Sequence, residues 1–360
     1  MRNFTFKGLF LTAVFALLGC LSIQAADDDL ITKQITIKLD KAGTLPDRID
    51  ASKKYLITNL KLVGEINGTD WKMIREMAGS NYNGYSTEGK LSTLDLSEAK
   101  IVKGGDSYYS GDNCYTSNDE IGEYAFHDCS GLTSLTLPAG ITSISDCAFE
   151  GCSGLTSLTL PAGITSIGCR AFSYCSGLTS LNLPDGITSI GSRAFADCSG
   201  LTSLTLPAGI TSISDCAFED CSGLTSLTLP AGITSIGISA FYGCSGLTSL
   251  NLPDGITSIN YGTFSGCSGL TSLTLPAGIT SIGSRAFYGC SGLTSINIPA
   301  SVTKIEDSAF LLCSGLTSLT LPDGITSINY GTFWSCSGLT SINIPASVTK
   351  IEFSAFEGCI

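Results

Sequence analysis

The chain carries a single histidine in 360 residues, with two tryptophans and three methionines. One imidazole leaves almost no room for the histidine clusters and acid/base pairs on which many metal centres and catalysts depend. Charge is scarce too, at 14%, and its basic part scarcer still: 19 Lys and Arg stand against 31 Asp and Glu, a formal charge of −12. So acidic a surface repels phosphate backbones and anionic lipid, which argues against nucleic-acid partners. Beyond the first residues no apolar run is long enough for a transmembrane segment, so none is expected in the mature chain. What is plentiful is glycine, at 41 residues, and cysteine, at 16, in a sequence that is 43% hydrophobic and too apolar for general disorder. This composition points to a folded, acidic, non-enzymatic protein with no cofactor. Length alone allows two or three ordinary domains or one elongated array.

The first residues read as an address. Arg2 and Lys7 precede an apolar run from Leu9 to Leu18, then small residues, then Asp27-Asp28-Asp29. The run is shorter than a spanning helix, so a secretory signal peptide over 1–25 is expected, with cleavage after Ala25. Leu17-Leu18-Gly19-Cys20 offers the alternative of a lipobox in which Cys20 is lipidated. Either route delivers the chain to the outside of the cell, free or attached to its surface.

From residue 129 onward one phrase is repeated. Cysteines stand at 129, 152, 175, 198, 221, 244, 267, 290, 313, 336 and 359, each 23 residues from the last. A period of 20–29 residues is the signature of a leucine-rich-type solenoid. In Leu155-Thr156-Ser157-Leu158-Thr159-Leu160 the last three residues alternate as a short strand requires. Pro161 ends that strand, Ala162-Gly163 turns, and Ile164 and Ile167 point inward from a second extended stretch. Ala171-Phe172 is expected in a short helical or 3₁₀ return, the phenylalanine plugging the core. No coil can bury these side chains alone, so neighbours must share them. A second period lies within the first: the residue after the repeat proline runs Ala-Ala-Asp through Asp185, Asp254 and Asp323, a 69-residue block that points to duplication of three coils.

The pattern Cys-x-x-Leu-x-x-Leu-x-Leu-Pro…Ile-x-x-Ile…Ala-Phe resembles the BspA-like leucine-rich repeat family of bacterial surface proteins. It extends upstream to Ile121-Gly122 and Ala125-Phe126, with strand-like echoes at residues 91–96 and 60–66 and a helix from Trp71 to Met77 begun by Asp70. The expected fold is therefore an α/β-type solenoid: a leucine-rich repeat array of 23-residue coils with short parallel strands and short helical or 3₁₀ returns, preceded by an α+β cap. Residues 26–128 form that N-terminal cap, with divergent repeats and a loop insertion. Residues 129–360 form the solenoid of ten coils and the start of an eleventh. The resemblance implies an exported adhesin that binds host matrix or cell-surface proteins, or other cells.

The chemistry-bearing residues divide into three groups. Cys129, Cys152, Cys175, Cys198, Cys221, Cys244, Cys267, Cys290, Cys313 and Cys336 form a line of buried structural thiols, since stacked register misses disulfide geometry and a line cannot make a tetrahedral metal site. Cys114, Cys147, Cys169 and Cys216 lie off that line, and Cys147 and Cys169 fall close enough in neighbouring coils for pairing to stay open. His127 beside Cys129 offers a base next to a thiol, but a ladder thiol is buried where a catalytic one is exposed, so His127 is expected on the surface. Gly104 to Glu120 is an oxygen-rich surface insertion without EF-hand spacing.

What remains is exterior. Ser134, Thr136, Ser157, Thr159, Ser180, Asn182, Ser203 and Thr205 begin two columns on the strand face, a polar recognition surface for protein or glycan. Where the coils differ, Tyr174, Tyr242, Tyr261, Tyr288, Tyr330 and Trp334 form an aromatic edge mixed with Arg170, Arg193 and Arg285, of the residue types that dominate interfaces. Cys359-Ile360 stops without a polar cap, so end-to-end self-association through the last coil is the alternative expectation.

Overall fold

The computed structural model describes residues 30–111 and 114–359. The leader expected at 1–25, with the lipidation candidate Cys20, lies outside the described residues. In each coil the alternation Ser-Leu-Thr produces a three-residue front strand. Ser157–Thr159 is exposed, buried, exposed, and the pattern recurs at Ser134–Thr136, Ser180–Asn182 and Ser203–Thr205. Front strands of neighbouring coils pair in parallel with equivalent positions opposed, Ser157 with Ser180, Leu158 with Leu181 and Thr159 with Asn182. A two-residue side strand follows, as at Ser166–Ile167, and pairs in the same register with Ser143–Ile144 and Ser189–Ile190. Pro161 separates the two, since it has no N–H to give a ladder.

The returns differ from expectation. Around Ala171-Phe172 the chain forms hydrogen-bonded turns, and among the described residues the α-helices are confined to the cap. Two residues in every return are left-handed: Arg170 at φ 53° and Tyr174 at φ 60°, with Arg193 (φ 56°) and Asp197 (φ 59°) one coil on. Left-handed residues interrupt a right-handed helix. The backbone donors that a helix would use internally turn instead to the next coil: Arg170 N–H to Ser192 O (2.9 Å), Phe172 N–H to Ala194 O (2.8 Å) and Tyr174 N–H to Ala196 O (2.8 Å). The array is therefore strand and turn alone.

Between the walls runs a column of phenylalanines. Phe126, Phe149, Phe172 and their successors to Phe356 stack with centroids 5.1–5.7 Å apart and ring planes within 2–15°. Each buried ring contributes about 1.5–3 kcal/mol by removal from water. Close stacking also sets a glycine. A Cβ at Gly154 would lie 2.2 Å from the carbonyl oxygen of Ser130 in the preceding coil, and the equivalent glycine of each later coil meets the same backbone obstacle.

The coils are not evenly joined. At most junctions a backbone N–H binds the side-strand carbonyl of the coil before, as Gly168 N–H does Ile144 O at 2.8 Å. At three junctions a side chain takes that role: Ser214 Oγ to Ile190 O (2.6 Å), Asn260 Nδ2 to Ile236 O (2.6 Å) and Asn329 Nδ2 to Ile305 O (2.8 Å). The side sheet breaks at these three places.

The cap begins with β1 (Ile35–Leu39), α1 (Leu45–Arg48), β2 (Asn59–Ile66), α2 (Gly68–Met77) and β3 (Thr93–Ile101). These three strands continue the front sheet in the order β1-β2-β3 followed by Ser134–Thr136. The start of α2 is not where the sequence placed it. Asn67 is the N-cap, accepting from Thr69 N–H, and Asp70 sits three residues in, where its carboxylate accepts from the backbone N–H groups of Asn67, Gly43 and Leu45. Asp70 thus fastens the β1–α1 connection to α2. The expected loop insertion is instead a hairpin, β4 (Gly104–Tyr109) against β5 (Cys114–Thr116), that buries Tyr108. Next, β6 (Glu120–Ile121) joins the side sheet against Ser143–Ile144, so coil geometry starts before Cys129.

Three cap side chains seal this first return. Its carbonyls have no earlier coil to supply backbone donors. Tyr108 OH donates to Glu123 O at 2.8 Å, Trp71 Nε1 to Ala125 O at 2.8 Å, and Arg75 to both Tyr124 O and Ala125 O. Trp71 also closes the phenylalanine column, its ring 5.2 Å from Phe126.

Candidate functional site

The line of thiols lies inside. Cys129 and the ladder cysteines through Cys336 are fully buried, and from Cys152 onward each Sγ donates at 3.0–3.1 Å to the phenylalanine carbonyl of the preceding coil, as Cys152 does to Phe126 O. That carbonyl also receives the backbone N–H of its own coil's cysteine, as Phe149 O receives Cys152 N–H. Burial pushes the thiols up, to about 12 at Cys198, Cys244, Cys290 and Cys336. A nucleophilic or metal-binding cysteine needs the opposite shift. Off the ladder, Cys114 is buried in the β4–β5 hairpin, while Cys147, Cys169 and Cys216 are free thiols, and Cys147 N–H donates to Cys169 O at 2.8 Å. Among the described residues no group of three or more His, Cys, Asp and Glu is placed to hold a metal ion.

His127 corrects an expectation. It is largely buried between Tyr109 and Tyr124, with ring centroids 5.5 and 5.4 Å away. Desolvation holds its pKa below the usual value, opposed by Asp128, whose Oδ2 lies 3.2 Å from Nδ1, and by Glu150. The imidazole belongs to the packed seam between cap and array. Cys129 behind it is pushed up to about 11 by burial, so the pair has no activated thiol.

The outer faces are built by the coil geometry. Alternation in the front strands turns Ser134, Thr136, Ser157, Thr159, Ser180, Asn182, Ser203 and Thr205 to solvent in two columns. Two depressions lie on this face. One, of about 270 Å³, includes Ser180, Asn182, Ser203 and Thr205; the other, of about 510 Å³, lies over Ser295 to Asn343.

The aromatic edge resolves into three parts. Tyr174 is exposed, apart from the other rings and beside Asp197. Tyr330 and Trp334 pack together at 6.4 Å, with Phe353 stacked on Tyr330 at 6.4 Å. Tyr242, Tyr261 and Tyr288 instead surround one groove of about 480 Å³, which Glu219, Ser239, Gly262, Ser265 and Arg285 complete. The sequence reading named the tyrosines and Arg285 but not Ser265 and Gly262, whose smallness opens the space. The signal was available as a small residue interrupting the tyrosines that the flanking coils carry.

Comparison with known proteins agrees with this architecture. The family described as BspA type Leucine rich repeat region (6 copies) matches over residues 119–248 and 234–360. A leucine-rich repeat protein of Bacteroides ovatus is 29% identical, with 72% of this chain and 80% of that one covered and a TM-score of 0.52. A leucine rich cell surface protein of Faecalibacterium prausnitzii is 28% identical over 72% and 83% of the two chains, with a TM-score of 0.43. No curated protein matches significantly. On its 23-residue period, its stacked coils and the extent of the match, the chain belongs to the BspA-type leucine-rich repeat family.

Proposed function

We propose that this protein is an exported, non-enzymatic binding protein, a bacterial cell-surface adhesin whose solenoid faces engage host matrix proteins, cell-surface proteins or glycans. The observation that carries this reading is the division of the coil between its two sides. The core is spent on stacking and on thiol-to-carbonyl bonds, while the front strands and variable returns give a long exterior of Ser, Thr, Asn and Tyr. A stiff array of near-identical coils suits multivalent contact, in which weak interactions add through high effective concentration. The test is adhesion of the purified protein to matrix proteins, glycans and cells. Outward substitutions such as Thr159→Lys with Thr205→Lys, or tyrosine-to-alanine changes on the returns, are expected to reduce adhesion without moving the melting temperature. Wild-type protein that adheres to none of these surfaces would refute the reading.

A further inference from the structure

The groove between Tyr242 and Tyr288 has a construction that its neighbours lack. Tyr242 and Tyr288 occupy the same place in coils two apart, each directly after a core phenylalanine. Ser265 holds that place in the coil between them and is buried at the groove floor. The intervening phenylalanine steps are 5.6 Å each, so the tyrosines are rooted two such steps apart. Aromatic faces contact a partner ring at about 3.5–4 Å, so two steps leave room over Ser265 for a six-membered ring to lie against either tyrosine. A second small residue widens the same opening. Gly262, at φ 60°, stands where neighbouring coils carry Ser239 and Arg285.

Charge selects what kind of ring. Two ionic groups of opposite sign line the groove. Glu219 is already engaged, its Oε2 accepting from Arg193 Nη1 at 2.6 Å. Arg285 is exposed, forms no ion pair among the described residues, and is steadied by its Nη1 donating to Tyr261 OH at 3.4 Å. The groove thus offers an uncompensated guanidinium beside two aromatic walls, on a protein whose formal charge is −12. Guanidinium pairs with carboxylate through two parallel hydrogen bonds. Tyrosine faces accept the C–H face of a sugar, while Ser239 and the tyrosine hydroxyls can bind its hydroxyls.

We infer that this groove binds a pyranose bearing a carboxylate, the chemistry shared by hexuronic and sialic acid residues of a glycan. The inference rests on the binding-protein reading and narrows it to one ligand class at one site. It is tested by calorimetric titration of the full chain with trigalacturonic acid and with sialyllactose, using lactose and a glutamate-rich peptide as comparators. One acidic sugar is expected to bind at least about tenfold more tightly than lactose and than the peptide. Arg285→Gln is expected to remove that preference. Tyr288→Ala is expected to weaken binding about tenfold, and Ser265→Tyr, which places in the middle coil the side chain both flanking coils already carry, to abolish it with the melting temperature unchanged. Trigalacturonic acid binding alone identifies a uronic acid site, and sialyllactose binding alone a sialic acid site. Equal affinity for lactose, undiminished binding by Ser265→Tyr, or tighter binding of the peptide overturns the inference. If wild type and Ser265→Tyr adhere equally to cells while neither sugar binds, this inference fails and the adhesin reading stands; if wild type adheres to nothing, both fail.

Discussion

At the scale of single residues, the coil is governed by how closely one backbone approaches the next. The ladder cysteine supplies a side-chain donor to a carbonyl in the coil before it, and a thiol does so at full burial without bringing a charge. Its titration has a measurable consequence. Folded Cys198, Cys244, Cys290 and Cys336 are raised to about 12 from an ordinary 9.0. Below pH 9 these thiols are protonated in both states and their contribution is complete. Between pH 9 and 12 the unfolded chain releases protons that the folded chain retains, so stability is lost as pH rises. Melting temperature is expected to hold near neutrality and to fall progressively above pH 9, and ladder thiols are expected to resist alkylation until the protein is unfolded. Mass spectrometry after iodoacetamide at pH 8 checks the second point. Gly154→Ala is expected to destabilise by about 1–3 kcal/mol, because the Ser130 carbonyl that obstructs its Cβ is backbone. A denaturant melt of that variant measures the cost.

Whole elements meet the same problem of unpaired groups at their boundaries. α2 and the β4–β5 hairpin carry the side chains that stand in for a missing coil. Trp71→Ala removes both a donor to Ala125 O and the lid on Phe126, and is expected to cost about 3–5 kcal/mol. Trp71→Phe keeps a ring against Phe126 and loses the donor with part of the indole's volume, so a smaller cost of about 1–3 kcal/mol is expected. Thermal melts of the two variants separate packing from hydrogen bonding. At an internal boundary, Asn260→Ala leaves Ile236 O without its donor and is expected to cost about 1–3 kcal/mol. Hydrogen exchange at the side strands Ser235–Ile236 and Ser258–Ile259 is the readout, with faster exchange expected there and none at Ser166–Ile167.

Across the whole molecule, coils contact mainly their neighbours, so damage should stay local. Hydrogen exchange on Gly154→Ala is expected to quicken in the coils opening at Cys129 and Cys152 while those beyond Cys267 keep wild-type protection. A uniform loss along the array would contradict the nearest-neighbour picture. For binding, the same geometry turns small differences between coils into features that break the monotony of the exterior, and the Tyr242–Tyr288 groove is one of them.

The sequence by itself determined the repeat length, the line of thiols, the two inward isoleucines and the outward Ser and Thr, because periodicity of 23 and alternation of two are covalent facts that stacking can only preserve. Its strand-like echoes at 60–66 and 91–96 correspond to β2 and β3. It could not give the returns, where Ala-Phe sits in left-handed turns, because their donors are satisfied by residues 22 positions away and local propensity is silent on that. Nor could it separate Ser145, whose N–H keeps the ordinary bond to Ile121 O, from Ser214, whose hydroxyl replaces it, although both open the same Ser-Asp-Cys-Ala-Phe phrase. Tertiary structure alone decided how Trp71, Arg75 and Tyr108 seal the first coil and which tyrosines share a groove. Both depend on distances between coils, and those are set by backbone packing and not by order along the chain.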